Sequence, residues 1–349
     1  MKKIIIVGPY PPPYGGISIH IQRILTLMQN REIIFLNTSS NRSQYPFEKN
    51  ISGLKIVMIL YYLFFYNFKL FHLHSPNKYL RLLTMICGKF KKSIYIHVHG
   101  ASLEDTFKKN DLISKWTKSL VSSNHFLSDN QRIFDCSEKY KPITNHLIDA
   151  FLPPLFNESE FLKFKNQTNI MQNNFCLSMV GWFSEYQNQD LYGFDVLADS
   201  INLIKQKYQI EIKVYASVNG IQSQTIYHSF IQKIENYNIK HLFELYFENF
   251  DEVWPLYILT NTFVRPTNTD GSALSVKEAL WLETPCIASD CVPRPDEVIL
   301  FANRNADSLS EKIYEQYCKK HYSIEEKINR IQQKVIKVPL IEDIYDAKQ

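Results

Sequence analysis

The chain has 349 residues, 45% hydrophobic and 21% charged, a globular balance that excludes a disordered or fibrous polypeptide and suits two α/β domains of ordinary size. The net charge of +4 hides an asymmetry: residues 1–150 hold 20 basic and 9 acidic side chains, a net +11, and residues 151–349 hold 19 and 26, a net −7. A basic first half points to a phosphate-rich partner or an anionic membrane surface, with an unevenly charged solvated surface as the plainer alternative.

The first half alternates short apolar runs with helical patterns. Strands are expected over 3–8, 33–36, 70–74, 93–98 and 125–128, and helices over 16–28, 54–65, 79–90 and 112–121. Such alternation predicts a parallel sheet covered by helices on both faces. Met1-Lys2-Lys3 leads directly into the first strand without a signal-peptide layout. The longest apolar run, 56–66, is far short of the roughly 20 residues of a spanning helix. A cytoplasmic protein is therefore expected. The six cysteines form no CxxC pair and have no histidine at zinc-ligand spacing, so they read as buried thiols.

Phe151-Leu152-Pro153-Pro154 breaks the pattern, and the polar stretch after it is the best linker candidate. The pattern then restarts, with strands expected over 175–180, 210–216, 243–247, 262–265 and 286–289 and helices over 194–208, 223–237, 252–259 and 273–282. The predicted division is 1–155, 156–320, and a C-terminal helix and tail over 321–349 returning to the first domain. Two α/β units in series predict parallel sheets facing each other across a cleft, with ligands at the C-terminal edges of the strands.

Three constellations bear chemistry. Gly8-Pro9-Tyr10-Pro11-Pro12-Pro13-Tyr14-Gly15-Gly16 links the first strand to the first helix. Its paired glycines allow close backbone approach to an anion at the helix start, although a tight turn alone would explain them. It is not GxGxxG, so no dinucleotide cofactor is indicated. Second, His72, His74, His97 and His99 stand at i, i+2 spacing near the ends of two strands. The members of each pair are expected to diverge. No carboxylate accompanies them, so no metal site is expected, and any one of them reads equally as a core histidine. Third, Arg265-Pro266-Thr267-Asn268-Thr269-Asp270-Gly271-Ser272-Ala273-Leu274 ends a strand, turns through a loop and opens a helix bearing Lys277 and Glu278. Asp270 and Glu278 are eight residues apart, about two helical turns, so two carboxylates can grip separate parts of an elongated ligand. The amides of Ser272, Ala273 and Leu274 suit a diphosphate between them. An N-cap role for Asp270 and a surface position for Glu278 remain the bland alternative.

Residues 270–290 resemble the signature of the retaining glycosyltransferases of family 4: an acid, seven residues, a Glu, and then a segment matched here by Glu283-Thr284-Pro285-Cys286-Ile287-Ala288-Ser289-Asp290. Gly181 onward, with Gly193-Phe194-Asp195-Val196-Leu197, resembles the opening of that family's C-terminal domain. Residues 11–16 and 97–100 resemble its N-terminal loop and active-site histidine segment. The resemblance departs at four positions. Asp270 replaces a glutamate, and Glu283 replaces a glycine. Trp182 and Tyr192 stand where the family places an arginine and a lysine on the donor diphosphate.

The resemblance implies a GT-B fold, with an acceptor-binding first domain and a nucleotide-sugar-binding second domain. It also implies a retaining hexosyltransferase of the surface-polysaccharide or O-antigen type, using a UDP or GDP sugar donor and neither cofactor nor metal. Asp270 would hold donor sugar hydroxyls, Glu278 the ribose, and His99 the sugar near its reacting carbon. Gly15, Gly16, Gly181, Gly271 and residues 272–274 would line the donor. With no carboxylate evident as a nucleophile, front-face displacement is expected. Arg265 is the first choice for the missing phosphate cation, then Lys277 or Arg294; the equal alternative is that Arg265 pairs with a nearby carboxylate and holds the loop in place. Tyr14 and His74 are placed against the acceptor. Lys89, Lys91 and Lys92 close an apolar helix, which suits a polyisoprenyl-diphosphate-linked glycan at the inner membrane surface; no nucleic acid is expected. A sugar-nucleotide epimerase of the same fold and a non-catalytic nucleotide-sugar-binding protein are the alternatives.

Overall fold

A computed structural model describes residues 3–334 except 13–14, 29, 41–44, 46–47, 76, 92, 100–101, 129–146, 155, 169, 171–173, 248–249, 251 and 272. The described residues divide into two compact units, one up to Leu152 and the other from Pro153.

In the first unit the described elements run β1 (Lys3–Gly8), α1 (Gly16–Leu27), β2 (Ile33–Asn37), β3 (Glu48–Asn50), α2 (Lys55–Phe65), β4 (Phe68–His74), α3 (Lys78–Gly88), β5 (Ile94–His97), α4 (Ser102–Lys108), α5 (Leu112–Leu120), β6 (His125–Ser128) and β7 (Leu147–Asp149). They form one parallel sheet ordered β3-β2-β1-β4-β5-β6-β7. Period-two alternation buries both faces, as parallel sheets require. Along β1, Ile4 and Ile6 pack with Ile21 and Ile24 of α1. Ile5 and Val7 pack on the opposite face with Ile59 of α2 and Met85 of α3. The strands β3 and β7 and the helix α4 carry too little apolar periodicity to be read from sequence.

The second unit runs α6 (Glu158–Gln167), β8 (Cys176–Phe183), a short hairpin β9 (Glu185–Tyr186) and β10 (Gln189–Asp190), α7 (Phe194–Tyr208), β11 (Lys213–Ile221), α8 (Gln224–Asn236), β12 (Phe243–Tyr246), α9 (Trp254–Leu259), β13 (Thr262–Arg265), α10 (Leu274–Trp281), β14 (Cys286–Ser289), β15 (Ile299–Phe301), α11 (Ala306–Tyr317) and α12 (Ile324–Gln333). Its main sheet is ordered β12-β11-β8-β13-β14-β15 and is parallel throughout. Counted from its own first strand this is order 3-2-1-4-5-6, the doubly wound arrangement, and the first unit begins in the same way. The order reverses between β1 and β4 in one unit and between β8 and β13 in the other. Ligands of open α/β sheets bind at such switch points, outside the carboxyl ends of the strands.

The helix α12 packs Ile331 into the second unit's core with Trp254 and Leu282. The expected tail lies outside the described residues. Lys327 of α12 is buried, and its ammonium donates to the carbonyls of Thr260 (2.6 Å) and Ile258 (3.4 Å) and to Thr284 Oγ1 (3.1 Å). It thereby satisfies acceptors left open at the end of α9. Burial pushes its pKa down to about 8.

Lys327→Ala should lower stability by about 2–3 kcal/mol, the worth of a charge-assisted bond together with stranded carbonyls. The unfolded lysine titrates near 10.4, so between about pH 8 and 10 the unfolded chain binds the extra proton. Stability at this site therefore rises with pH across that window. Denaturation of both chains at pH 8 and 10 should give a difference that widens at the higher pH.

Candidate functional site

At the second unit's switch point, β13 ends on Arg265 and the chain turns through Pro266–Ala273 into α10. Asp270 lies at the centre of this turn, almost wholly buried. Arg265 donates Nε to its Oδ2 (3.1 Å) and Nη2 to its Oδ1 (3.2 Å). Arg294 donates Nη1 to Oδ2 (3.0 Å), Thr267 Oγ1 donates to the same oxygen (3.2 Å), and the Gly271 amide donates to Oδ1 (2.9 Å). Burial alone would raise the Asp270 carboxyl, but Arg265 and then Arg294 hold it below the usual carboxylate range. Arg265 spends Nη1 on the Val180 carbonyl (3.2 Å) and lies over the Tyr192 ring. Arg294 is also turned inward, with Nε on the Ser289 carbonyl.

This arrangement corrects two expectations. Arg265 is not a free fork awaiting phosphate, because all three of its nitrogens are engaged by Asp270 and Val180. Nor is Asp270 an N-cap or an open acceptor for sugar hydroxyls. The N-cap of α10 is Ala273, whose own side chain makes no capping bond. One carboxylate between two guanidiniums leaves a net +1 beside that helix start.

Glu278 is 4% exposed on α10, so it is not the surface residue of the bland reading. Lys277 beside it is half-buried. Gly271, Ala273 and Leu274 line the same turn, and Ser272 lies outside the described residues. Gly181 falls inside β8 rather than beyond it. A Cβ there would meet the Tyr192 ring at 2.7 Å, and one at Gly220 would meet the Trp182 ring at 2.7 Å. The aromatic residues at the resemblance's cation positions thus pack as lids on glycines. Gly193 is required by its backbone: φ is +76°, and a Cβ would lie 2.0 Å from the Pro266 carbonyl oxygen.

Glu283 stands where the resemblance expects glycine for a physical reason. It follows the end of α10 with φ +59°. The amides of Glu283 and Thr284 bond back to the carbonyls of Leu280 and Ala279, closing a Schellman motif. Lys334 (2.5 Å) and Arg330 (3.5 Å) pair with its carboxylate, which offsets the cost of a non-glycine residue in the left-handed region.

The first unit's switch point holds the histidines. The i, i+2 members share a strand face instead of diverging, since alternation has a period of two. His74 pairs with His97 in register across β4 and β5. Ring centroids are 4.0 Å apart for His72 and His74, and 4.1 Å for His97 and His99. His74 Nδ1 lies 3.1 Å from His99 Nε2. Sequence reasoning missed a fifth member, His20 of α1, whose ring is 4.4 Å from that of His97. It recurs with Ile17, Ile21 and Ile24 on the helix face that meets the sheet, and that periodicity was its available signal. Burial keeps His20, His74 and His97 well below the usual imidazole pKa, and His72 at about 3.

The expected Gly15 amide is already used: it donates to Ser18 Oγ (3.1 Å), while no Cβ at Gly15 or Gly16 would touch anything. Tyr14 lies outside the described residues. His74 lines a cavity of about 860 Å³ with Leu54, Ile56, Val57, Tyr79 and Leu83. Around it α2 exposes Leu54, Ile56, Val57, Tyr61, Phe64 and Phe65, each more than half in solvent. Lys91 donates to the Leu63 carbonyl (2.6 Å) near the end of α2, Lys89 is exposed, and Lys92 lies outside the described residues.

No protein-family model matches the chain, and no curated protein matches it. Solved structures resemble it over its whole length. The Anabaena protein Alr3699/HepE in complex with UDP-glucose superposes with a TM-score of 0.68 at 12% identity, covering 99% of each chain. WaaG, a glycosyltransferase involved in lipopolysaccharide biosynthesis, gives 0.68 at 8% identity, covering 100% of each. A glycosyltransferase from Rickettsia africae gives 0.62 at 12%, covering 99% of each. At such identities the likeness establishes the fold, which is the GT-B fold of two Rossmann-like units.

Arg265→Ala should destabilise the second unit by about 3 kcal/mol, because it strips a buried carboxylate of its two-point partner. Adding Asp270→Asn should cost less than the sum of the single changes by roughly 1–3 kcal/mol. Chemical denaturation of the four chains measures the coupling.

Proposed function

We propose that the protein is a retaining glycosyltransferase that moves a hexosyl group from a nucleotide diphosphate sugar to a lipid-linked glycan. The observation that carries the reading is the buried Glu278 on α10, eight residues after the Asp270 network at the switch point of a GT-B unit. A buried carboxylate accepts the paired hydroxyls of a ribose. The start of α10 offers its amides to the diphosphate. The net +1 of Arg265, Arg294 and Asp270 lies behind those amides. It supplies at a distance the charge that the family's arginine and lysine supply by contact. Stabilising charge that develops on the leaving diphosphate is the main catalytic device open to such a site. His99 would face the donor sugar, and the incoming hydroxyl would attack from the side the diphosphate leaves. The donor is a UDP or GDP sugar, and UDP-glucose in one of the resembling structures is in keeping with this.

Glu278→Gln should weaken donor binding roughly 10- to 150-fold, the worth of a charge-assisted hydrogen bond, and depress transfer by at least as much. The melting temperature should change little. Calorimetric titration of a UDP and a GDP sugar into both chains checks this. Unchanged affinity in a folded variant would overturn the assignment. The alternative of a non-catalytic nucleotide-sugar binder gains support from the internal commitment of Arg265. It predicts the same binding loss with no donor turnover in the wild-type chain.

A membrane-borne acceptor is supported by α2, which is apolar on all sides. Its inner face holds Ile59, Tyr62 and Leu63, and its outer face presents the exposed residues named above. A patch of that kind on a basic unit suits anionic lipid. No helix among the described residues is long and apolar enough to cross a membrane, so the attachment proposed is peripheral. Replacing Ile56, Phe64 and Phe65 together by Glu should reduce binding to anionic vesicles at least tenfold, since each apolar side chain is worth about 1.5–3 kcal/mol. Co-sedimentation measures it, and soluble-donor binding should be untouched.

A further inference from the structure

Alternation fixes the direction of the three strand histidines in the first unit's cluster. Leu70 of β4 and Tyr95 of β5 belong to the α1-facing core, so His72, His74 and His97, at even spacings from them, face α1 as well. His20 comes down from α1 onto the same spot. One ligand nitrogen from each of His20, His74 and His97 lies within 4.8 Å of the others. All three side chains are almost fully buried, at 2%, 1% and 0% exposure. Nε2 of His20, Nε2 of His74 and both nitrogens of His97 have no hydrogen-bond partner among the described residues. Buried polar atoms in native proteins are overwhelmingly satisfied, so a group of orphaned nitrogens converging on one point marks something to be bound there.

We propose that His20, His74 and His97 form a binding site for one divalent transition metal ion of the imidazole-preferring class, with zinc as its type. Three neutral imidazoles and one open position make a recognised donor set for such an ion. The three rings pack against one another, and neutral imidazole is the form that binds metal. His99 supplies the outer partner. With His74 donating Nδ1–H to His99 Nε2 at 3.1 Å, the lone pair of His74 Nε2 is left for the ion. Zinc–nitrogen bonds of about 2.0–2.1 Å place tetrahedral ligand atoms about 3.4 Å apart. Each ring therefore has to move by roughly 1 Å, within the soft rotation of an imidazole about its last torsion. A bound ion would pin α1, which the Gly15–Gly16 turn opens, to the ends of β4 and β5. The site shares His99 with the proposed donor reading but none of its three ligands, and its role is to fix that geometry.

The purified full chain, stripped with chelator and dialysed, should be titrated with Zn²⁺ and separately with Co²⁺. One equivalent of metal per chain should remain after gel filtration. The cobalt form should show the intense visible bands of a four-coordinate ion, and the melting temperature should rise on zinc addition. His20→Asn and His97→Asn should each weaken binding roughly a hundredfold or more and abolish the cobalt bands. His228→Asn, at an exposed position on α8, should keep both. Substoichiometric metal in the wild type overturns the site. So does full retention in His20→Asn and His97→Asn, or a weak six-coordinate cobalt spectrum. If the histidine variants fail to fold, the wild-type stoichiometry and cobalt spectrum decide alone.

Discussion

A carboxylate buried between two guanidiniums holds the strand ends that carry the candidate donor site. Asp270 ties β13 through Arg265 to the segment after β14 through Arg294, and Arg265 reaches β8 through the Val180 carbonyl. A buried ion pair contributes little net stability over well-packed apolar groups, yet removing one partner is expensive. The network therefore favours one loop conformation over others. Its three members sum to a net charge of +1. Two buried arginines would be costly without Asp270, and Asp270 alone would repel the ligand.

The same loop is fixed from its other side by backbone packing. Gly193 lets the Pro266 carbonyl approach a backbone that no side chain could share, and Gly181 takes the Tyr192 ring flat against β8. Tyr192 in turn lies under the Arg265 guanidinium. Glycine, tyrosine, arginine and aspartate thus form one stack, and Tyr192, at one of the two positions where the resemblance expects a cation, belongs to it. In the proposed reading, phosphate recognition rests on a preorganised field made by the α10 amides and the net charge of the network.

Much of the fold was legible before any coordinates. Strands buried on both faces, such as β1, β8 and β13, are continuous apolar runs, and the helices between them carry a 3.6 period. The short strands β3, β7 and β15 were not legible, because three residues contain no period. The strand–loop–helix of 265–281 was legible as a candidate site because an acid eight residues before a glutamate is unusual at the opening of a helix. What sequence could not give was the partner of each charge. For Arg265, which ends a strand, a phosphate and a nearby carboxylate were equally open partners, and strand position alone does not choose between them. The histidines failed differently. Their spacing was visible, but their convergence depends on β4 and β5 being neighbours and on α1 covering that face, and both are facts of topology.

The account stands on a second unit that activates a nucleotide sugar. Its most direct test is to incubate the purified chain with UDP and GDP sugars and a bacterial lipid extract, following the anomeric proton by NMR. The account predicts that one donor is consumed only when lipid acceptor is present, with release of the nucleoside diphosphate and a new glycoside of the donor's own anomeric configuration. Consumption of no donor, or a glycoside of inverted configuration, would contradict it.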